Sequence, residues 1–401
     1  MKMKILRIIP SMNPSSGGPC QGLRNIIPEL EKIGIENEVV CLDDPTSSFL
    51  GKDSFKIHAI GPASNSWAYN KNLIPWLITN LGRFDVVVVH ALWLYHGYAF
   101  NRALHKFNLR AKNGKTGRKS LKAYIMPHGM LDPYFQKAEG RKLKALRNWI
   151  YWKLIESKVV NNSSGVLFTC ETELLLARKT FTPYHPKKEI NIGYGIAAPP
   201  LFERSMKAAF LEKCPAVSGT NYLLFLSRIH VKKGLDQLLK AYELIVTRVP
   251  DFPALVVAGP GAETPYGQLL LQVVNESEYL RERVFFAGML TGKAKWGACY
   301  GSEAFVLTSH QENFGIAVVE SLACGKLVLI SDQVNIWREI IAAGAGMVSA
   351  ATVEGVLAML QNWHDLSLEQ KKKMQQEAAN TFEKYYAINT AANRFASAVS
   401  I

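Results

Sequence analysis

No stretch of this 401-residue sequence approaches the run of about 18 uninterrupted apolar residues that a membrane-spanning helix needs. A secretory leader is not expected either. Lys2 and Lys4 precede an apolar run, Ile5 to Pro10, that is short and broken by Arg7. The chain therefore reads as cytoplasmic. Cysteine is sparse: the six, at Cys20, Cys41, Cys170, Cys214, Cys299 and Cys324, include no closely spaced pair. That spacing argues against a zinc or redox motif and against a disulfide scaffold, so reduced, packed thiols are expected. Asp-x-Asp is missing as well, since Asp43 and Asp44 are adjacent, and no carboxylate or histidine cluster suggests a metal. No Gly-x-Gly-x-x-Gly turn follows a strand, which removes the main signature of a dinucleotide oxidoreductase. Repeats and low-complexity tracts are likewise missing.

Acidic residues are scarce in one half. Residues 1–200 hold 28 lysines and arginines against 14 acids, which is the whole of the net charge of +14. From Arg102 to Lys158 there are 15 basic residues against Asp132, Glu139 and Glu156. Such asymmetry points to a polyanionic partner or an anionic membrane. No recognition motif supports nucleic acid.

What is present is an alternation of short β-rich runs and helical periodicity, with 48% hydrophobic residues. Strands are expected at Ile5–Pro10, Glu38–Leu42, Phe55–Ile60, Asp85–His90, Ala123–Met126 and Gly165–Thr169. A second series follows at Tyr222–Leu226, Ala254–Ala258, Val284–Phe286, Ala304–Leu307 and Lys326–Ile330. Runs such as Val86-Val-Val-Val89 suit strands buried on both faces, and hence parallel sheets covered by helices. Between the series, Ile192 to Pro200 carries two glycines and two adjacent prolines and reads as a linker. Three parts are expected: residues 1–195, residues 196–375, and a C-terminal helical tail, 376–401, packing back towards the first. In open α/β sheets, ligands bind beyond the carboxyl ends of the strands.

The most specific segment is Ser309-His-Gln-Glu-Asn-Phe-Gly-Ile-Ala-Val-Val-Glu-Ser-Leu-Ala-Cys-Gly325, after one strand and leading into a helix that should begin near Phe314 or Gly315. Glu312 falls in the loop before the helix and Glu320 beyond its first turn. The free amides of the helix start lie between them and suit an anion. Carboxylate, amides, carboxylate can serve as a ruler for sugar, diphosphate and ribose. The plainer alternative is N-terminal acids stabilising a helix dipole, with Glu320 on a solvated face. Upstream, Arg228 and Lys233 bracket a turn that ends at Gly234, where both can face one phosphate site.

The Arg-x4-Lys-Gly segment, Val257-Ala-Gly-Pro-Gly261, Phe286-Ala-Gly-Met289 and the Glu-x7-Glu pair, in this order across roughly residues 220–350, resemble retaining glycosyltransferases of family 4. The resemblance implies the α/β GT-B fold, two Rossmann-like parallel-sheet domains facing a central cleft. It also implies roles. Arg228 and Lys233 would neutralise the leaving diphosphate. Glu312, with the amides of Asn313, Phe314 and Gly315, would hold the donor sugar and distal phosphate. Glu320 would take the ribose hydroxyls, and backbone at Gly288, Met289 and Leu290 would read the base. Gly17 and Gly18, after the first strand, would let donor phosphate or acceptor approach the backbone.

His128, following a strand in Tyr124-Ile-Met-Pro-His-Gly, would contact the donor sugar. This segment, with Trp149–Glu156 and Phe168–Glu173, is similar to family members that build surface polysaccharides. The interdomain segment departs from the family's Asn-Gly, reading Gly193-Tyr-Gly195. The implied reaction is metal-independent transfer of a hexose, retaining its configuration. The co-substrate is a nucleotide sugar, with UDP-glucose the first choice, and no other cofactor is expected. The acceptor would be a saccharide or a lipid-linked oligosaccharide in surface or exopolysaccharide synthesis. A non-catalytic nucleotide-sugar binder and an oxidoreductase are the rivals. Peripheral contact with an anionic membrane is expected of the basic residues of the first domain, including the loop Arg110–Lys122. Trp149 and Ile150 are expected to pack on the sheet.

Overall fold

The computed structural model describes residues 3–112, 121–137 and 140–400. The basic loop residues 113–120, and Glu139, lie outside the described residues. The chain divides into two compact units, Met1–Gly195 with Ile388–Ile401, and Ile196–Ala387.

The first unit is built on seven strands: β1 (Lys4–Ile8), β2 (Glu36–Cys41), β3 (Lys56–Ala59), β4 (Val86–His90), β5 (Lys122–Met126), β6 (Gly165–Phe168) and β7 (Glu189–Asn191). They pair in parallel in the order β3-β2-β1-β4-β5-β6-β7. Alternate residues of one strand enter different cores. Leu6, Ile8, Val87, Val89 and Ile125 bury in one, and Ile5, Val86, Val88, Tyr124 and Met126 in another. This double burial is why the valine run of β4 is continuously apolar. The final helix, Ile388–Ser400, closes the second core with Phe395 and Val399, against the helix Gly18–Lys32.

The second unit has six strands: β8 (Tyr222–Leu226), β9 (Ala254–Ala258), β10 (Val284–Gly288), β11 (Ala304–Leu307), β12 (Val328–Ser331) and β13 (Gly346–Ser349). Their parallel order is β10-β9-β8-β11-β12-β13. The chain runs outward to one side after β8 and to the other after β11, so the order reverses between these neighbours. Two strands escaped the sequence reading. β7 and β13 are edge strands of three and four residues with mostly half-exposed side chains, so neither shows a buried run.

The segment Arg141–Val159 corrects an expectation. It forms a helix, Lys142–Tyr151, then a π-helical turn, Trp152–Glu156, then a further helix, Ser157–Asn162. Of the first helix only Asn148 is buried. Leu143, Leu146, Trp149, Ile150 and Leu154 are 86, 56, 52, 44 and 64% exposed. The apolar stripe therefore faces solvent, and it is Trp152 and Glu156, past the turn, that enter the interior. A π turn shifts the helical register by a residue, which moves the buried face away from the stripe before it. All six cysteines are buried, and none of them forms a disulfide. No helix among the described residues is long and apolar enough to cross a membrane.

Candidate active site

In the second unit the loops after β8 and β11 meet at the point where strand order reverses. The β8 loop is held first by its neighbours. Ser227 N–H donates to the carbonyl of Ala258 at 3.0 Å, and Ile229 N–H to that of Pro260 at 2.8 Å. This bracing explains the Ala-Gly-Pro-Gly run that follows β9. The loop ends at Gly234, with φ +64°, where an added Cβ would stand 2.1 Å from the carbonyl oxygen of Thr308. Only glycine allows that approach, and through it the end of β8 is docked onto the end of β11. Thr308 Oγ1 donates to the Gly234 carbonyl at 2.8 Å, and His310 N–H to the Lys232 carbonyl at 2.8 Å.

This docking brings Lys233 Nζ onto Glu312 Oε2 as an ion pair, with 13 and 21% of the side chains exposed. Glu312 is itself clamped to the loop after β12. Its N–H donates to the Gln333 carbonyl, and its carbonyl accepts from Asn335 N–H, both at 2.9 Å. Lys232 Nζ donates to Gln311 Oε1 at 3.0 Å. Arg228 is exposed and forms no ion pair among the described residues. His230 is pushed below the ordinary histidine value, by burial first and then by Arg228, Lys232 and Lys233 around it. Three cations thus converge on this turn with one carboxylate between them.

The helix behind Glu312 spans Ile316–Ala323, with Gly315 as its N-cap at φ +77°. It starts one or two residues later than expected, because the left-handed Gly315 cannot belong to it. Neither an acidic residue in the first turn nor a side-chain cap answers its opening N–H groups. Phe314 is buried against Tyr386, ring centroids 5.7 Å apart, and fixes the entry of the loop. Glu320 pairs with Lys295 at 2.7 Å. Lys295 stood in no motif; it comes from the separate helix Gly292–Gly301. At the end of β10, Gly288 has φ +64° and receives Gly259 N–H at 2.8 Å. Gly288 and Met289 are exposed while Leu290 is buried, so this backbone is open to a ligand.

In the first unit Gly17 is the N-cap of the helix Gly18–Lys32, at φ +89°. Apart from their chain neighbours and the helix's own backbone, no atom of the described residues lies within 4 Å of a Cβ added at Gly17 or Gly18. His128 lies two residues past β5 in the left-handed region, φ +53°, and its Nε2 is 3.0 Å from Nδ1 of the buried His90. A left-handed φ on a non-glycine residue stores strain and is concentrated at functional sites. Glu173 anchors the turn: its carboxylate accepts from Gly129 N–H and, at 2.8 Å, from Thr169 N–H. Burial first, then Arg7, lowers His128 to about 4. His90 and Arg7 carried no motif and were missed, and Glu173 stood in the segment Phe168–Glu173 without a role of its own. They are gathered because β1, β4, β5 and β6 are neighbours in the sheet and Glu173 follows β6. Among the described residues no three His, Cys, Asp or Glu side chains converge as a metal site.

A family model described as "Glycosyl transferases group 1" matches residues 207–381. An uncharacterized glycosyltransferase of Bacillus subtilis is 33% identical over 121 residues, 30% of this chain and 32% of that protein. A GDP-mannose:cellobiosyl-diphosphopolyprenol alpha-mannosyltransferase of Xanthomonas campestris is 20% identical over 352 residues, 86% of this chain and 83% of its own length. The crystal structure of Anabaena HepE in complex with UDP superposes with a TM-score of 0.73 at 15% identity, over 99% of this chain and 100% of that one. The two Rossmann-like parallel-sheet units are thus the GT-B fold that the resemblance implied.

Proposed function

We propose that this chain, whose fold is GT-B and whose residues 207–381 match the family model of glycosyl transferases group 1, is a retaining glycosyltransferase that transfers a hexose from a nucleotide sugar. The observation that carries the reading is the Lys233–Glu312 pair at the strand-order reversal, with Arg228 beside it and a helix start behind it. The two side chains serve as each other's counter-ions, which keeps a part-buried charge from standing alone. An arriving diphosphate takes the ammonium of Lys233, and the freed carboxylate of Glu312 accepts from sugar hydroxyls. Arg228 and the opening amides of Ile316–Ala323 add positive potential where the leaving group gathers charge. Fixed cations can do this without a metal, so transfer is proposed to be metal-independent. Glu320, released from Lys295, takes the ribose hydroxyls, and Gly288–Leu290 reads the base.

A departing phosphate oxygen takes the acceptor proton during front-face attack, which leaves the anomeric configuration unchanged. The enzyme's share is positioning and charge stabilisation. The first unit binds the acceptor, a saccharide or lipid-linked oligosaccharide of surface polysaccharide synthesis. The solvent-facing stripe Leu143, Leu146, Trp149, Ile150 and Leu154 supports a membrane contact. Exposed Lys142, Lys144, Arg147 and Lys153 lie among it, a pattern that suits an anionic bilayer surface.

UDP-glucose is the first donor to test. GDP-mannose is the second reading, favoured by the name of the Xanthomonas relative. Nucleotide release from a panel of donors, with and without EDTA, is the test. Release from one donor that survives EDTA supports the reading. Donor binding without release would leave a binding protein instead.

A further inference from the structure

The first unit contains a cation with no counter-charge. Arg7, on β1, is 1% exposed. Its Nε donates to Asn37 Oδ1 at 3.1 Å and its guanidinium lies 4.1 Å from the Phe395 ring centroid, but its second terminal nitrogen, Nη2, has no partner. Burial alone lowers its pKa to about 9. Arg7, His90 and His128 line one cavity of about 30 Å³ together with Gly22, Tyr194 and Phe395, and no acidic residue lines it. His90 Nε2 is also buried and unpartnered. An isolated buried charge is costly, and two unanswered donors beside it suit an anion.

Size and chemistry narrow the occupant. One water needs about 10–15 Å³ of such space, so the cavity has room for about two oxygen-sized atoms. When His128 Nε2–H donates to His90 Nδ1, the proton of His90 sits on Nε2, and that N–H joins Arg7 Nη2 as a second buried, unpartnered donor on residues that line the cavity. Two donors around space for two oxygens match a carboxylate better than a neutral hydroxyl or a bulkier phosphate.

We propose that this cavity binds the carboxylate of an acidic sugar, one oxygen on Arg7 and the other on His90. The inference rests on the sugar-transfer reading and names a substrate class for the first unit. Whether the acid belongs to donor or acceptor follows from which form binds.

The test is calorimetric binding of D-glucuronate, UDP-glucuronate, D-glucose, UDP-glucose and inorganic phosphate to the full chain, as wild type and as Arg7→Met. One or both acidic sugars should bind at least about tenfold more tightly than the neutral counterpart. Arg7→Met should abolish that preference and leave the affinity for UDP itself unchanged. A preference shown by free glucuronate assigns the acid to the acceptor side; one shown only by UDP-glucuronate assigns it to the donor. If Arg7→Met does not fold, His90→Gln in its place should reduce the preference. Acetate added to the wild type should shift the ring resonances of His90 and His128 in NMR spectra. No preference for acid over neutral sugar, phosphate binding as tight as glucuronate, or a preference that survives Arg7→Met would overturn the proposal. Loss of UDP binding by the wild type would instead refute the reading on which it rests.

Discussion

The Lys233–Glu312 site of the second unit and the Arg7 cavity of the first handle positive charge in opposite ways. In the second, Lys233 and Lys295 each meet a carboxylate, Glu312 and Glu320, contributed by a different loop or helix. In the first, Arg7 is buried without any acid, and the lysines and arginines of Lys142–Leu154 stand in solvent among exposed leucines. Paired charges can be exchanged for a ligand's charges at little cost, whereas unpaired ones wait for a ligand to complete them. On the proposed reading, the second unit exchanges its paired charges for those of a diphosphate, and the Arg7 cavity receives a carboxylate.

The comparison breaks most sharply at Lys233. Lys233→Ala is expected to lower turnover by about 10²–10³, the range for losing one electrostatic donor to a developing charge. Steady-state nucleotide release measures it, and a loss under fivefold would remove Lys233 from the chemistry. Next in size, replacing Leu143, Leu146 and Leu154 together by Asp should cut binding to anionic liposomes at least about tenfold. Turnover on a water-soluble acceptor should not change. Co-sedimentation at two salt concentrations separates the apolar from the electrostatic share. Third, Glu320→Ala should weaken nucleotide binding by about tenfold, or ~1.4 kcal/mol, with a smaller effect on kcat. Unchanged affinity would show that Glu320 does not reach the ribose.

The smallest effects are on stability. Burial raises buried Glu156 to about 8, so between the ordinary carboxylate value and pH 8 the folded state holds a proton that the unfolded state has lost. Stability therefore falls as pH rises through that window, and Glu156→Gln should raise Tm more at pH 8 than at pH 5. His128, lowered to about 4, acts with the opposite sign. Between its lowered value and the ordinary one near pH 6.5 the unfolded state binds the extra proton, so stability falls as pH drops from 6.5 towards 4. Equal Tm shifts of Glu156→Gln at both pH values would contradict the assignment.

How far each region could be read from the sequence follows the same division. Lys233 with Gly234, and Glu312 with Glu320, lie in short segments whose spacing is set by one turn and one helix, so their grouping was readable before any fold was known. The ion pairs between them were not, since Lys233 and Glu312 are 79 residues apart and meet only through the neighbouring ends of β8 and β11. In the first unit almost nothing local marks the cavity: residues 7, 90, 128, 194 and 395 come together through sheet order and the returning helix. Trp149 and Ile150 were misjudged because amphipathic spacing tells which residues share a face but not whether that face is covered. The π turn at Trp152–Glu156, which decides it, has no sequence signature.

The most direct test of the Lys233–Glu312 site is a crystal structure of the chain with UDP. Its diphosphate should lie against Lys233 Nζ and the amides at Gly315 and Ile316, with the contact between Lys233 and Glu312 broken. Nucleotide density away from this helix start, or a diphosphate bound while the ion pair stays closed, would contradict the account.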